Sequence, residues 1–266
     1  MAWNKDSIIR LATVDSTNRY TRDDADNLWN KHGENGFVVI TATHQTAGRG
    51  QRGNIWSSNA GENLLISILV RPGEALEVKR QFLLSQAVAL AMHDAMLHYE
   101  IDTRLKWPND IYVGSRKLAG ILLELDYAGR YIEQAIIGIG LNVNQQAFPP
   151  MDRVPVSMKM LWKAENGKRK TENGKQRQDL VLDDVLSTLL CSFERYYNLL
   201  LQGHGDEIAA EYDKLLLGIN EQHTFIDKEG SFEAVLQGVE SDGHLLLQRN
   251  DGCTGRYAFK EVEMVL

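Results

Sequence analysis

Lys106-Trp107-Pro108-Asn109-Asp110-Ile111-Tyr112, followed after a Gly114-Ser115 turn by Arg116-Lys117-Leu118-Ala119-Gly120-Ile121-Leu122-Leu123-Glu124, is the stretch from which the fold can be read. Trp-Pro forces an extended or turn conformation. It lies between a short strand around 104–106 and a strand over 118–125 so apolar that it must be largely buried. A further strand over 131–139 follows a turn at Ala128-Gly129. Upstream, 37–43 (FVVITAT) and 63–70 (NLLISILV) read as strands, with Leu64, Ile66, Ile68 and Val70 on one face. Between the two groups, 79–99 carries Leu84, Val88, Ala91, Met92, Ala95, Met96 and Tyr99 at helical spacing. Asp15-Ser16-Thr17-Asn18 is a run of N-cap residue types, which predicts an early helix.

Downstream, Leu182, Val185, Leu186, Leu189, Phe193, Tyr196, Tyr197 and Leu200 mark a second long helix. A third, over 206–217, is expected to end at Gly218. The pattern then changes to short strands at 222–227, 232–239, 244–249 and 256–260, the size of a small barrel. The expected layout is α+β: a mixed sheet packed with helices over 1–218 and an all-β unit over 219–266. Residues 145–178, broken by Pro149, Pro150 and Pro155 and strongly polar from Lys163 to Gln178, read as a solvated loop.

Composition bounds the function. The chain has 266 residues, 43% hydrophobic and 24% charged, which is a globular balance. A net charge of −7 argues against sequence-independent nucleic-acid binding. No apolar run is long enough for a membrane span, and the first residues lack a signal-peptide core. Cys191 and Cys253 are far apart, and the seven histidines form no metal spacing, so neither a disulfide framework nor a metallo-hydrolase is expected. The reading is a cytoplasmic protein.

Four clusters carry chemistry. In Gln45-Thr46-Ala47-Gly48-Arg49-Gly50-Gln51-Arg52-Gly53-Asn54-Ile55-Trp56, glycines let backbone N–H groups approach a ligand and two arginines suit a phosphate or carboxylate. It is neither a Walker A loop nor GxGxxG, and alone it could be a plain hairpin. Around Trp107-Pro108 the turn holds Lys106, Asn109 and Asp110 at one corner; taken alone, Trp107 is core packing and Asp110 a turn residue. Lys117 can reach into a pocket from the mouth of its strand, or simply snorkel, and Gly120 inside that strand suggests close approach of a ligand or backbone. Gly138-Ile139-Gly140-Leu141-Asn142-Val143-Asn144 places two amides after a glycine-bearing strand end, or is only a turn.

Together, and in this order with Asp15-Ser16-Thr17-Asn18, these strings resemble the biotin–protein ligase (biotin–acetyl-CoA-carboxylase ligase) family. The resemblance runs by motif from Ile8 to Asn144. It implies a class II aminoacyl-tRNA-synthetase-like catalytic domain followed by a small SH3-like β-barrel. It implies formation of biotinyl-5′-adenylate from biotin and ATP, with Mg²⁺, and transfer of biotin to a lysine of a biotin carboxyl carrier protein. Lys117, Arg49 and Asp110 are the implied catalytic residues. Ser16, Thr17, Asn18, Gln45, Arg49, Gly50, Gln51, Lys117 and Gly120 would bind biotin, with residues 118–122 as wall. Arg49, Arg52, Gly53, Trp56, Lys106, Asn109, Asn142 and Asn144 would bind ATP. Asp110 is expected either to orient or deprotonate the carrier lysine or to help hold magnesium.

Gln51 and Asn54 stand where the family often has arginine, which lowers the loop's charge and predicts weaker retention of the adenylate. The serine–threonine–asparagine motif begins within twenty residues of Met1, so a form without an N-terminal DNA-binding domain is expected, with no nucleic-acid partner. The family includes monomers and homodimers. Two alternatives remain: a lipoate–protein ligase-like enzyme, whose family lacks the Lys-Trp-Pro-Asn-Asp string, and a non-catalytic biotin or nucleotide sensor. An interaction module resting on the terminal barrel alone ranks lower.

Overall fold

The computed structural model describes residues 8–150, 153–165 and 179–266, with the backbone alone described at Arg52 and at residues 163–165. The chain runs β1 (Ile9–Val14), α1 (Thr17–Asp23), α2 (Ala25–His32), β2 (Phe37–Gln45), β3 (Leu64–Val70), β4 (Gly73–Glu77), α3 (Phe82–His98), β5 (Arg104–Lys106), β6 (Asp110–Val113), β7 (Arg116–Ala128), β8 (Tyr131–Leu141), α4 (Met158–Glu165), α5 (Leu182–Leu201) and α6 (Gly205–Lys214). Five short strands follow: β9 (Gln222–Asp227), β10 (Gly230–Val239), β11 (Leu245–Arg249), β12 (Thr254–Tyr257) and β13 (Val262–Met264).

The first eight strands form one mixed sheet in the order β1-β2-β3-β8-β7-β6-β5, with β4 attached to β8. Among its described strands β1 and β2 pair in parallel and the other strand pairs are antiparallel. Strand alternation sends successive side chains to opposite faces. Val39, Ile66, Ile68, Ile137 and Ile139 face the helical layer of α3, α5 and α6. Val38, Ile40, Leu69 and Ile136 face α1 and α2 with Ala25 and Leu28. Both faces of β3 are therefore covered and all its residues are buried, although its composition suggested one apolar face. Helix α3 is buried without interruption from Leu83 to His93, because the sheet lies on one side and α5 and α6 on the others. Its apolar stripe is thus only part of its buried surface. On α5 the stripe is obeyed, and Phe193 packs edge-on to Phe37 and stacks on Tyr197 at 5.5 Å.

Several expectations need correction. The sequence pattern does not mark strands β1, β4, β6 and β13, which have three to six residues. The solvated loop expected over 145–178 contains α4, whose Met158 and Leu161 enter the core; most of the polar stretch from Lys163 to Gln178 lies outside the described residues. Helix α6 stops at Lys214, before the expected 217, because the following residues join the edge of β5. Leu105 N–H donates to Leu215 and Leu217 N–H to Leu105. Gly218 (φ +79) then turns the chain into the second sheet.

That second sheet is antiparallel, in the order β12-β11-β10-β9-β13. Among the described residues no pairing joins its edge strands β12 and β13, which have four and three residues, so the sheet is open and the expected closed barrel is not found. Its apolar face, including Phe225, Leu236 and Leu247, belongs to the same buried cluster as the main sheet. Trp107 reinforces this seam by donating its indole N–H to the Gly243 carbonyl at 3.0 Å and packing edge-on to Phe259.

Candidate active site

On the α1 side of the main sheet the strand register creates two rows of residues. One runs Leu65, Gly140, Gly120, Asp110 and Lys106; the other runs Ser67, Gly138 and Leu122. Glycine at the centre of both rows lowers the floor. A β-carbon on Gly138 would lie 2.5 Å from Asn18 Oδ1, and one on Gly140 would lie 2.6 Å from Trp56 Cζ2. Three residues apart on one strand, Lys117 and Gly120 should face opposite sides. A register shift against Ile111 and Tyr112 inserts Leu118 as an extra residue and turns Lys117 toward the floor, with its Nζ 3.3 Å from the β-carbon position of Gly120.

Above this floor is a cavity of about 1430 Å³, shared by the main sheet, the 48–56 hairpin and the second sheet. It exceeds the usual range for one small ligand, roughly 300–1,000 Å³. Ser16, Thr17, Asn18 and Gln45 line one end. Ser16 makes no side-chain cap to α1; instead Gln45 Oε1 accepts from Thr17 N–H at 2.7 Å and from its hydroxyl at 3.1 Å. Asn18 accepts from Ser67 Oγ at 2.5 Å and donates to Glu124 Oε2 at 3.0 Å. The other oxygen of Glu124 pairs with Arg49 at 3.4 Å. Glu124 thus ties the hairpin to α1.

The hairpin closes through Trp56 N–H to the Gly48 carbonyl and Gly50 N–H to the Asn54 carbonyl. It brings Arg49, Gly50, Gln51 and Trp56 into the wall. Gly53 sits outside the wall at the hairpin tip with φ +90, and the Arg52 side chain is outside the described residues. Gln51 Oε1 and Trp56 Nε1 are buried without hydrogen-bond partners. Buried polar atoms normally have partners. An acceptor and a donor left open beside one cavity suit a ligand with its own N–H and C=O groups.

At the opposite end is a charged chain. Asp110, only 3% exposed, forms an ion pair with Lys117 Nζ at 2.7 Å from one oxygen and accepts a hydrogen bond from Arg153 Nη1 at 2.9 Å on the other. Arg153 Nη2 reaches Glu263 of β13 at 3.1 Å. Lys117 also lies 5.8 Å from the centre of the Trp56 ring. Lys106 is buried beside this chain. Burial, and then the nearby Arg153 charge, lower its pKa from the ordinary lysine value, against the pull of Asp110 and Glu263.

The asparagines are largely structural. Asn109 donates to the Ile121 carbonyl at 2.7 Å, and Asn142 to Val156 at 3.1 Å, while both still line the cavity. Asn144 does not line it: both ends of its amide bind the backbone of Leu180, which fastens the end of β8 to the start of α5. Sequence reasoning also missed Arg153, whose segment carried no signal beyond its prolines. From the second sheet, none of whose residues the sequence singles out, Arg249, Tyr257 and Phe259 line the far wall.

A sequence model of the biotin/lipoate A/B protein ligase family matches residues 11–142. A "bifunctional ligase/repressor BirA" from Bacillus spizizenii is 31% identical over 238 residues, covering 90% of this chain and 69% of that protein. The chain belongs to the biotin/lipoate A/B protein ligase family. A second relative, the biotin–[acetyl-CoA-carboxylase] ligase of Paracoccus denitrificans, is 39% identical over 137 residues, which are 50% of this chain and 53% of that one. Among solved structures, the biotin protein ligase from Aquifex aeolicus in complex with biotin and ATP has the same fold, with a TM-score of 0.74 over 97% of this chain and 98% of that chain at 24% identity. The matched segment of the family model includes both glycine rows, the hairpin and Lys117.

Proposed function

We propose that this chain is a biotin–protein ligase that makes biotinyl-5′-adenylate from biotin and ATP and transfers biotin to a lysine of a biotin carboxyl carrier protein. The observation that carries this reading is Lys117 held by Asp110 at 2.7 Å over the glycine floor of a cavity large enough for two ligands, in a chain of this family. The relatives' names favour biotin over lipoate.

Adenylation brings a carboxylate against a triphosphate, so its barrier includes charge repulsion. Lys117, with Arg49 and Arg52, supplies compensating positive charge, and fixed charges in a site shielded from water stabilise developing negative charge strongly. The end of the cavity lined by Ser16, Thr17, Asn18, Gln45 and Gln51 takes the polar ring of biotin, and Gly120 leaves room for it. Trp56, Lys106, Asn109 and Asn142 face the nucleotide. The 48–56 hairpin, tied to Glu124 through Arg49, covers the mixed anhydride and keeps water from it. Asn144 and Gly53 act on the frame and the hairpin tip.

Mg²⁺ enters with ATP as part of the substrate. Each oxygen of Asp110 faces a cation at rest, which favours a role at the transfer step over one in metal binding. Its place beside Lys117 suits the transfer step, where a carboxylate orients the incoming amine and receives its proton. In the same reading residues 1–218 form the synthetase-like catalytic unit, and residues 219–266 form an SH3-like unit that closes the cavity. The enzyme acts in the cytoplasm on its carrier protein, without nucleic acid, as a monomer or homodimer. No helix among the described residues is long and apolar enough to cross a membrane.

The test is a substrate comparison. Purified protein is incubated with MgATP and either biotin or lipoate, and pyrophosphate release is followed separately from label on a carrier-domain lysine. Both products with biotin, and neither with lipoate, support the reading. Lipoate as the better substrate moves the chain to the other branch of the family, and biotin binding with neither product makes it a sensor.

A further inference from the structure

The reading above makes Lys117 leave its resting partner, and the surroundings of Asp110 bear on how that is possible. Asp110 has no water to turn to, being 3% exposed. A buried charge whose only partner departs is strongly unfavourable. If Lys117 were its sole partner, every turnover would have to overcome that loss. Arg153 occupies the second oxygen at 2.9 Å. We infer that Arg153 is a positioning residue that keeps the Asp110 carboxylate compensated while Lys117 turns to the reacting carboxylate and phosphate. The inference rests on the assignment of adenylation to this cavity.

The placement of Arg153 is built into the backbone. Lys117 N–H donates to the Val154 carbonyl and Val156 N–H to the Lys117 carbonyl, both at 2.9 Å. The segment carrying Arg153 is thereby registered against the residue it would release. The two arms of the guanidinium are divided, Nη1 on Asp110 and Nη2 on Glu263 of β13 at 3.1 Å. A planar fork can hold two carboxylates at once, whereas an ammonium is a single point of charge. Burial alone would lower the pKa of Arg153, but the carboxylates of Asp110 and Glu263 outweigh it and hold the guanidinium above its ordinary value. Tyr112, pushed up to about 12 mainly by burial, stays neutral and does not compete for the charge. Lys106, the other cation against Asp110, is buried and destabilised by Arg153, so it is a poor substitute. Glu263 makes the second sheet part of this device by fixing the outer arm of the fork.

The test uses single-turnover formation of biotinyl-adenylate by the full chain with MgATP and biotin, with the midpoint of thermal unfolding recorded for every variant. Arg153→Met should lower the rate at saturating substrates by roughly ten- to a hundredfold, while the KM values for biotin and ATP change less than the rate does. Arg153→Lys should restore part of the rate. In the Asp110→Asn background, where no carboxylate needs compensation, adding Arg153→Met should change the rate little relative to Asp110→Asn alone. Should Arg153→Met fail to fold, Arg153→Gln against Arg153→Lys makes the same comparison. An unchanged rate in Arg153→Met, or an equal fall in both backgrounds, overturns the inference. Failure of the wild-type chain to form any adenylate would instead strike at the functional reading.

Discussion

Substituting alanine for Gly138 tests whether the floor of the site is built as described. The backbone at Gly138 lies outside the left-handed region, so alanine meets no conformational obstacle there. The obstacle is Asn18: the new β-carbon would be 2.5 Å from Oδ1, 2.9 Å from Nδ2 and 3.0 Å from Cγ. Asn18 cannot yield easily, since Ser67 Oγ holds its oxygen and Glu124 its nitrogen. Displacing it breaks one buried neutral hydrogen bond and one charge-assisted bond, about 1 and 1.5–3 kcal/mol by ordinary magnitudes. A net loss of roughly 2–4 kcal/mol is expected, and at about 2–4 °C per kcal/mol for a chain of this size the unfolding midpoint should fall by roughly 5–15 °C. If Asn18 also contacts biotin, displacement equivalent to 1.4 kcal/mol raises the biotin Kd about tenfold. The assay is a double-mutant cycle with Asn18→Ala, read by denaturant unfolding and biotin titration. In the Asn18→Ala background the clashing atoms are gone, so Gly138→Ala should be near neutral, or stabilising by about 0.4–1 kcal/mol through the unfolded chain. An equal penalty in both backgrounds would refute the reasoning.

Other consequences follow from the same geometry. Gly140→Ala would force the Trp56 indole off the floor, and ATP affinity is expected to fall by about tenfold or more, measured by nucleotide titration, with overall stability less affected than in Gly138→Ala. Asp213, facing β10 near Gly238, is raised to about 6 by burial, against a backbone hydrogen bond from Val239 that lowers it. The folded state therefore holds this proton more tightly than the unfolded chain, and its contribution, on the order of 1–3 kcal/mol, is present below pH 4 and lost as pH rises to 6. Asp213→Asn should flatten that part of the stability–pH profile and be at least as stable as wild type at pH 8, as measured by urea unfolding. Gln51→Arg restores a positive charge beside the cavity and should reduce escape of biotinyl-adenylate onto non-cognate lysines; equal escape from both proteins would remove retention as the role of that position.

The parts of the site that the sequence revealed are those made of local strings. The hairpin glycines, Lys117 at the head of an apolar strand and the glycines of β8 are each legible because backbone demands restrict residue choice locally. The strands and helices with strong periodicity were read for the same reason. What escaped depends on distant pairing. Arg153 is one arginine in a proline-broken segment, and its meaning comes from Asp110 and Glu263 on two other strands. The extra residue Leu118 that turns Lys117 inward exists only relative to β6. Asn144 looked like a ligand residue because an asparagine beside a glycine-bearing strand end suits either role, and only the position of Leu180 decides between them. Helix α4 was hidden because its few apolar residues lie between prolines and a long polar run.

The most direct measurement is single-turnover formation of biotinyl-adenylate and pyrophosphate by the wild-type chain and by Lys117→Ala, with biotin binding measured on both. The wild-type chain should give both products. Lys117→Ala should still bind biotin but form adenylate slower by about a hundredfold or more, the scale on which fixed transition-state charges act. Adenylate formation at the wild-type rate in Lys117→Ala would contradict the account.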